Sequence, residues 1–238
     1  MFKEKFHITS SDVDQFLELR LANLFKYFQI LGSDHVETIG MGHQDLFKHN
    51  LLWVVIRMEV KILRTPKLEE VLTFTTHPGD NRSFIYPRYY EVYDAKGNLI
   101  ITASSMWALI DKDTRRVVLK PEGLKTIKGE SHKDDIPLPE KVAGESSNIV
   151  CNRKVVYSDI DLNGHLNNTK YIEFMVDTHD PSFYKTHRIA EVNVNYDKEI
   201  KYGDEVILSS NNNEEKEVIH GKVSDTVHFS AEFTYENR

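Results

Sequence analysis

The feature that most constrains how this chain folds is an internal repeat. Ser11-Asp12-Val13-Asp14 returns as Ser158-Asp159-Ile160-Asp161. Each copy follows a short strand-like stretch, Lys3–Ile8 in the first half and Asn148–Tyr157 in the second. Each precedes a stretch of helical character and then segments rich in Val and Ile. Leu68-Glu69-Glu70-Val71 is echoed in the same way by Gly203-Asp204-Glu205-Val206. A period this long implies two copies of one supersecondary unit, and 238 residues are enough for two units of about 100–120 residues each.

The first copy carries most of the readable pattern. Ser10-Ser11-Asp12 is a helix-capping cluster, and apolar residues then fall at Phe16, Leu19, Leu21, Leu24, Phe25, Phe28 and Ile30, close to helical spacing. Gly32 is the expected stop. Strands are expected over Leu51–Leu63, Val71–Thr76, Phe84–Tyr93 and Leu99–Ile110, with a hairpin turn at Asp94-Ala95-Lys96-Gly97. One long helix followed by a run of antiparallel strands is α+β and not βαβ alternation. Gly, Pro, Lys, Glu and Ser then dominate, which predicts domains over 1–120 and 148–238 joined by a linker over 121–147. The run Asn211-Asn212-Asn213-Glu214-Glu215-Lys216 is expected to be an exposed hairpin loop.

Composition removes several classes of function. A net charge of -7 gives no general attraction for nucleic acid or anionic membranes. The single cysteine, Cys151, fits a reducing compartment and forms no internal disulfide. Met1–Ile8 alternates charged and apolar residues, unlike a signal peptide, and no window reaches the length of a membrane span. The expectation is a cytoplasmic protein, in which the sequons at Asn81 and Asn167 carry no meaning.

Chemistry concentrates at the second repeat. Asp161, Asn163, His165, Asn167 and Asn168 fall within eight residues, followed by Tyr171-Ile172-Glu173-Phe174. A capped helix N-terminus explains one or two of these residues but not the set. Aligned on Ser-Asp-x-Asp, the first copy places Phe16 opposite Asn163 and Glu18 opposite His165. The polar set therefore marks one working site, in the second half. A helix beginning near His165 or Leu166 would aim free backbone N–H groups and a positive dipole end at a substrate carbonyl, where an oxyanion develops in acyl transfer.

The stretch from Tyr157 to Ile172, YSDIDLNGHLNNTKYI, resembles the signature of the acyl-ACP thioesterase family of plants and bacteria. Thr102-Ala103-Ser104-Ser105-Met106-Trp107 with Asp111-Lys112-Asp113-Thr114-Arg115-Arg116 resembles the first-half motif of that family. The resemblance implies a tandem (double) hotdog, each half an antiparallel sheet wrapped around a long central helix. It also implies hydrolysis of acyl-acyl carrier protein to free fatty acid, in fatty acid biosynthesis, without metal or cofactor. It carries the family's site residues onto Asp161, Asn163 and His165. Through Asn195-Tyr196-Asp197-Lys198-Glu199, a looser match, it adds Glu199. Plant members carry a cysteine after that glutamate. Here the position is Ile200, and Cys151 reads as an ordinary buried thiol, so attack by water is expected. The base is either Glu199 or Asp161, a carboxylate whose pKa an apolar cleft would raise. Asn163 would position water or carbonyl, and His165 would stabilise the oxyanion.

The resemblance assigns the acyl pocket to the first half, around its helix and Val54–Met58. A basic docking patch for the acidic carrier protein is expected, with Arg115-Arg116 as one candidate. Acyl-CoA is an alternative substrate. A hotdog hydratase or dehydratase and a non-catalytic acyl-binding module are rival functions; the wider residue spacing of the former and the retained polar cluster argue against them. A monomer and a homodimer are both compatible. His35, His43 and His49 fit no common metal spacing and read as solvated loop histidines. Gly40-Met41-Gly42 lacks a phosphate-loop context, and Trp53 and Trp107 read as core or pocket wall.

Overall fold

The computed structural model describes residues 1–119, 121, 123–124, 127–130, 136–213 and 216–238. The expected linker residues at 122, 125–126 and 131–135 lie outside these, as does the tip of the last loop at 214–215. The chain divides into a unit of Met1–Arg20 with Leu24–Pro139 and a unit of Leu21–Asn23 with Glu140–Arg238.

The first unit runs β1 (Phe2–His7), α1 (Leu21–Thr38), α2 (His43–Lys48), β2 (Leu51–Ile62), β3 (Val71–Pro78), β4 (Tyr86–Tyr93) and β5 (Leu99–Asp111). Its strands are ordered β1-β3-β4-β5-β2, all antiparallel. The buried face of α1 presents Leu24, Phe25, Phe28 and Leu31. Phe28 meets Tyr90 at 4.8 Å and Phe74 at 5.7 Å between ring centroids. A second apolar cluster joins Val36, Met41, Leu46, Leu51 and Leu109, with Trp53 and Tyr86 against it.

The second unit runs β6 (Asn148–Lys154), α3 (Asn168–Val176), β7 (His187–Tyr196), β8 (Glu205–Asn213), β9 (Lys216–Val223) and β10 (Thr226–Asn237). Its order is β6-β8-β9-β10-β7, the first unit's topology repeated. Tyr171 on α3 packs edge-on against Phe229 at 5.0 Å and Tyr196 at 5.3 Å. The α+β class and two hotdog units in one chain are as expected. The second helix is shorter than expected, 9 residues against 18 in α1. The residue before Pro181 is biased away from helical geometry, which fits an early end.

Two sequence expectations are corrected here. Gly32 lies inside α1 and does not end it. A Cβ there would come within 3.2 Å of the Tyr90 hydroxyl and 3.6 Å of Arg88 Cδ, so this position lets strand side chains approach the helix closely. The helix stops instead at Thr38, followed by Gly40 at φ 72°. Phe16 and Leu19 precede the helix and lie in a hairpin-like turn.

That turn is repeated bond for bond. The Asp14 carboxylate accepts from the amides of Phe16 (2.8 Å) and Glu18 (3.1 Å); Asp161 accepts from those of Asn163 (2.8 Å) and His165 (3.2 Å). Isolated bridges Val13–Leu19 and Glu18–Lys67 correspond to Ile160–Leu166 and His165–Lys201. The Leu19 amide donates to Pro66 O at 2.9 Å as that of Leu166 does to Ile200 O at 2.8 Å. Lys67 N donates to the Glu70 carboxylate as Lys201 N does to that of Asp204, both at 2.8 Å. Glu70 therefore matches Asp204, one residue off the pairing that the sequence echo gives.

Candidate active site

Three segments of the second unit converge. The Asp161–His165 turn is closed by Asp161 N donating to His165 O (2.8 Å) and Gly164 N donating to Asp161 O (3.1 Å). Gly164 sits at φ 80°, a region that glycine enters without a steric penalty. The His165–Lys201 bridge and the Leu166 amide draw the turn against the loop after β7. There His165 Nε2 stands 3.2 Å from Glu199 Oε2, with the imidazole 18 % exposed and the carboxylate 37 % exposed. These two residues, 34 positions apart in sequence, thus share one locus.

Asp161 occupies a different place in the arrangement. Its Oδ1 accepts two backbone amides, which fix the shape of the turn. The Asn163 side chain is half-buried and has no hydrogen-bond partner among the described residues. Beneath the site, Tyr171 is 4 % exposed and hydrogen-bonded to the backbone of Ile200; burial pushes its phenol pKa up. Ile200 is fully buried.

The helix begins later than its polar residues suggest. Asn167 is the N-cap of α3, accepting from the Thr169 amide at 2.9 Å. The amides of residues 163–167 already have acceptors in the turn, in Ile200 and in Asp159. At the helix mouth this leaves the Asn168 N–H as the amide without an acceptor among the described residues. An Asx-type turn and two β-bridges have consumed the stretch that propensity assigned to helix.

In the first copy, Phe16 stands at the place of Asn163 and Glu18 at that of His165, while Thr65 precedes Pro66 as Glu199 precedes Ile200. Asp14 keeps the carboxylate. Asp161 is therefore shared architecture, and the residues that set the second copy apart are Asn163, His165 and Glu199.

Cys151 is half-buried on β6, and burial raises its thiol pKa. His35 is not a loop histidine. It lies in α1, 7 % exposed, accepting at Nδ1 from Arg88 Nη1 at 2.9 Å. Among the described residues, no group of three or more His, Cys, Asp or Glu is placed to hold a metal, and no helix is long and apolar enough to cross a membrane. Trp53 donates to Met41 O at 3.1 Å and Trp107 to Ser105 Oγ at 2.8 Å, both as parts of the packed unit. Of the 211–216 run, residues 211–213 end β8 and Lys216 begins β9, with Asn213 opposite Lys216. Arg116 is exposed, and Arg115 is half-buried at φ 57° in the turn after β5.

Two hotdog units, with a polar locus at one of two equivalent turns, define a double hotdog protein with a single specialised site. The chain belongs to the acyl-ACP thioesterase family. The family's N-terminal domain matches residues 1–127 and its C-terminal domain residues 144–236. A chloroplastic acyl-[acyl-carrier-protein] hydrolase of Cuphea viscosissima is 24 % identical over 226 residues, covering 88 % of this chain and 54 % of the relative. A chloroplastic palmitoyl-acyl carrier protein thioesterase of Arabidopsis thaliana is also 24 % identical, covering 84 % and 52 %. The chain spans about half the length of these plant relatives. An acyl-ACP thioesterase of Bacteroides thetaiotaomicron superposes with a TM-score of 0.86 at 25 % identity, covering 98 % of this chain and 97 % of the other. A 12:0-ACP thioesterase of Umbellularia californica shares the fold, with a TM-score of 0.85 at 19 % identity and coverage of 100 % and 97 %.

Proposed function

We propose that this chain hydrolyses fatty acyl thioesters of acyl carrier protein by direct attack of water, in fatty acid biosynthesis. The observation that carries the reading is the His165–Glu199 pair at 3.2 Å, built where the first copy has Glu18 and Thr65. Family membership supports the substrate class.

In this reading, Glu199 takes a proton as water attacks the thioester carbonyl. His165 and the Asn168 amide face the oxygen that becomes negative, and the Asn163 carboxamide positions water or carbonyl. Collapse breaks the C–S bond, and the proton held by Glu199 passes to the departing thiolate. The sequence left Glu199 and Asp161 open as base. The two amides bound to Asp161 favour Glu199, with Asp161 shaping the turn. With Ile200 buried at the plant cysteine position and Cys151 away on β6, no covalent thiol step is invoked.

The first unit, around α1 and Val54–Met58 of β2, is the proposed acyl pocket. One chain supplies every residue invoked, so the reading holds for a monomer or a homodimer. The free thiol of Cys151 fits a cytoplasmic setting. Acyl-CoA presents the same pantetheine arm and is the second substrate to test. Thiol release is to be measured side by side from acyl-ACP and acyl-CoA over a range of chain lengths. Faster turnover of acyl-ACP is expected; absence of thiol release from both would overturn the reading.

A further inference from the structure

We infer that His228 is a positioning residue for Glu199, an inference that rests on the hydrolase reading above. His228 lies on β10 at a bulge, where pairing with β9 skips from Val227 opposite Lys222 to Phe229 opposite Gly221. Its carbonyl accepts from the amides of Asp197 and Lys198, both at 2.9 Å. Its ring Nδ1 lies 3.0 Å from Glu199 O. One residue thus grips three consecutive positions that end at Glu199. A carbonyl only accepts, so Nδ1 carries the proton of this bond. Burial, and then the Lys198 ammonium, hold the pKa of the ring below its ordinary value, with Asp204 opposing.

The first copy provides an internal control. Ile100 lies at the matching bulge of β5, where pairing with β4 skips from Ile101 to Leu99. Its carbonyl accepts from Leu63 N at 2.9 Å and Arg64 N at 3.2 Å, as that of His228 does from Asp197 and Lys198. The backbone clamp belongs to the fold and exists in both copies. The imidazole bond to the next carbonyl exists only where that residue is Glu199. Bulges re-aim side chains beside functional sites, and this one has a ring donor holding the peptide unit from which the carboxylate extends. Without that bond the loop keeps its two amide anchors but loses the third, and Glu199 is freed to turn away from His165.

The test is a double-mutant cycle on the full chain with acyl-ACP as substrate. His228→Ile places the first copy's residue in the second. It should lower kcat about 10- to 100-fold, the scale of a small misplacement of a reacting group, with KM within about twofold and Tm little changed. His228→Asn, whose amide nitrogen replaces Nδ1, should restore most of the rate. In the Glu199→Gln background, His228→Ile should add no further loss. Full kcat in His228→Ile, losses that multiply with Glu199→Gln, or a loss that His228→Asn does not repair would each overturn the inference. If His228→Ile does not fold, His228→Leu serves the same comparison. The hydrolase reading fails separately, if the parent releases no thiol from acyl-ACP or acyl-CoA. Full activity in Glu199→Gln overturns the role of Glu199 and the inference with it, but not that reading.

Discussion

Asp14 and Asp161 each accept two backbone amides through one carboxylate oxygen and close the same turn in the two copies. An acid that a copy without the polar site also keeps is there first for the backbone. Asparagine retains the accepting oxygen, whereas alanine does not. Asp161→Asn is therefore expected to keep kcat within about tenfold of the parent, and Asp161→Ala to lose far more by releasing His165 from its turn. Asp14→Ala should cost stability alone, about 1–2 kcal/mol by urea denaturation. If Asp161→Asn loses activity while Glu199→Gln keeps it, Asp161 is the base and the assignment above is reversed.

Glu199→Gln removes the proposed base and leaves a side chain of the same size on a partly exposed loop. The expected loss in kcat is on the order of 10²- to 10⁴-fold with unchanged Tm, the range of a general base. His165→Ala should fall in the same range, and the double variant should be little worse than either single, since the two act on one step. Single-turnover hydrolysis of acyl-ACP reads this directly. Independent, multiplying losses would show that the 3.2 Å pair does not act as a unit.

Much of this was legible because duplication leaves its own control in the chain. The repeated Ser-Asp-x-Asp and the contrasts Phe16 with Asn163 and Glu18 with His165 are visible in sequence. So are Gly97 at φ 84° in the β4–β5 turn and the paired runs of strands. What the sequence hides is set by backbone hydrogen bonds. An Asx-type turn moved the start of α3 to Asn168, although Asn163 and His165 look like helix-opening residues. Gly32 reads as a stop until Tyr90 and Arg88 are seen beside it. His228 sits between Val227 and Phe229 in an ordinary strand pattern, and only the bulge and the topology bring it to Glu199.

Leu17 and Gly164 occupy matching turn positions, at φ 60° and φ 80°. Leucine is strained in this region by roughly 1–2 kcal/mol, while glycine is not. Leu17 is 55 % exposed, so trimming it sacrifices little burial. Leu17→Gly is expected to stabilise the chain by about 0.5–1 kcal/mol after the added entropy of the unfolded state. Gly164→Ala should destabilise by a similar amount and also lower kcat, because its strain falls between Asn163 and His165. Apart from its chain neighbours, no residue comes within 4 Å of a Cβ at Gly164, so a loss there comes from the backbone and not from a clash. A Leu17→Gly midpoint in urea below that of the parent would refute the strain argument.

His35 makes the first unit sensitive to acid. A guanidinium only donates, so the 2.9 Å bond from Arg88 Nη1 requires an unprotonated Nδ1. Burial and then the Arg88 charge pull the imidazole pKa from 6.5 down to about 4. The unfolded chain therefore binds this proton more readily than the folded one between those values. The neutral ring contributes its full stability above pH 6.5, and that contribution drains as pH falls through about 4. The amount at stake is on the order of 3 kcal/mol, the whole fall of the pKa converted to free energy. His35→Gln keeps an oxygen that accepts from Arg88 and does not titrate. Urea denaturation from pH 7 to pH 4 should show the parent losing stability more steeply than His35→Gln, with the two curves drawing together above pH 6.5 in slope. Parallel curves across the whole range would mean that His35 is not the group that titrates.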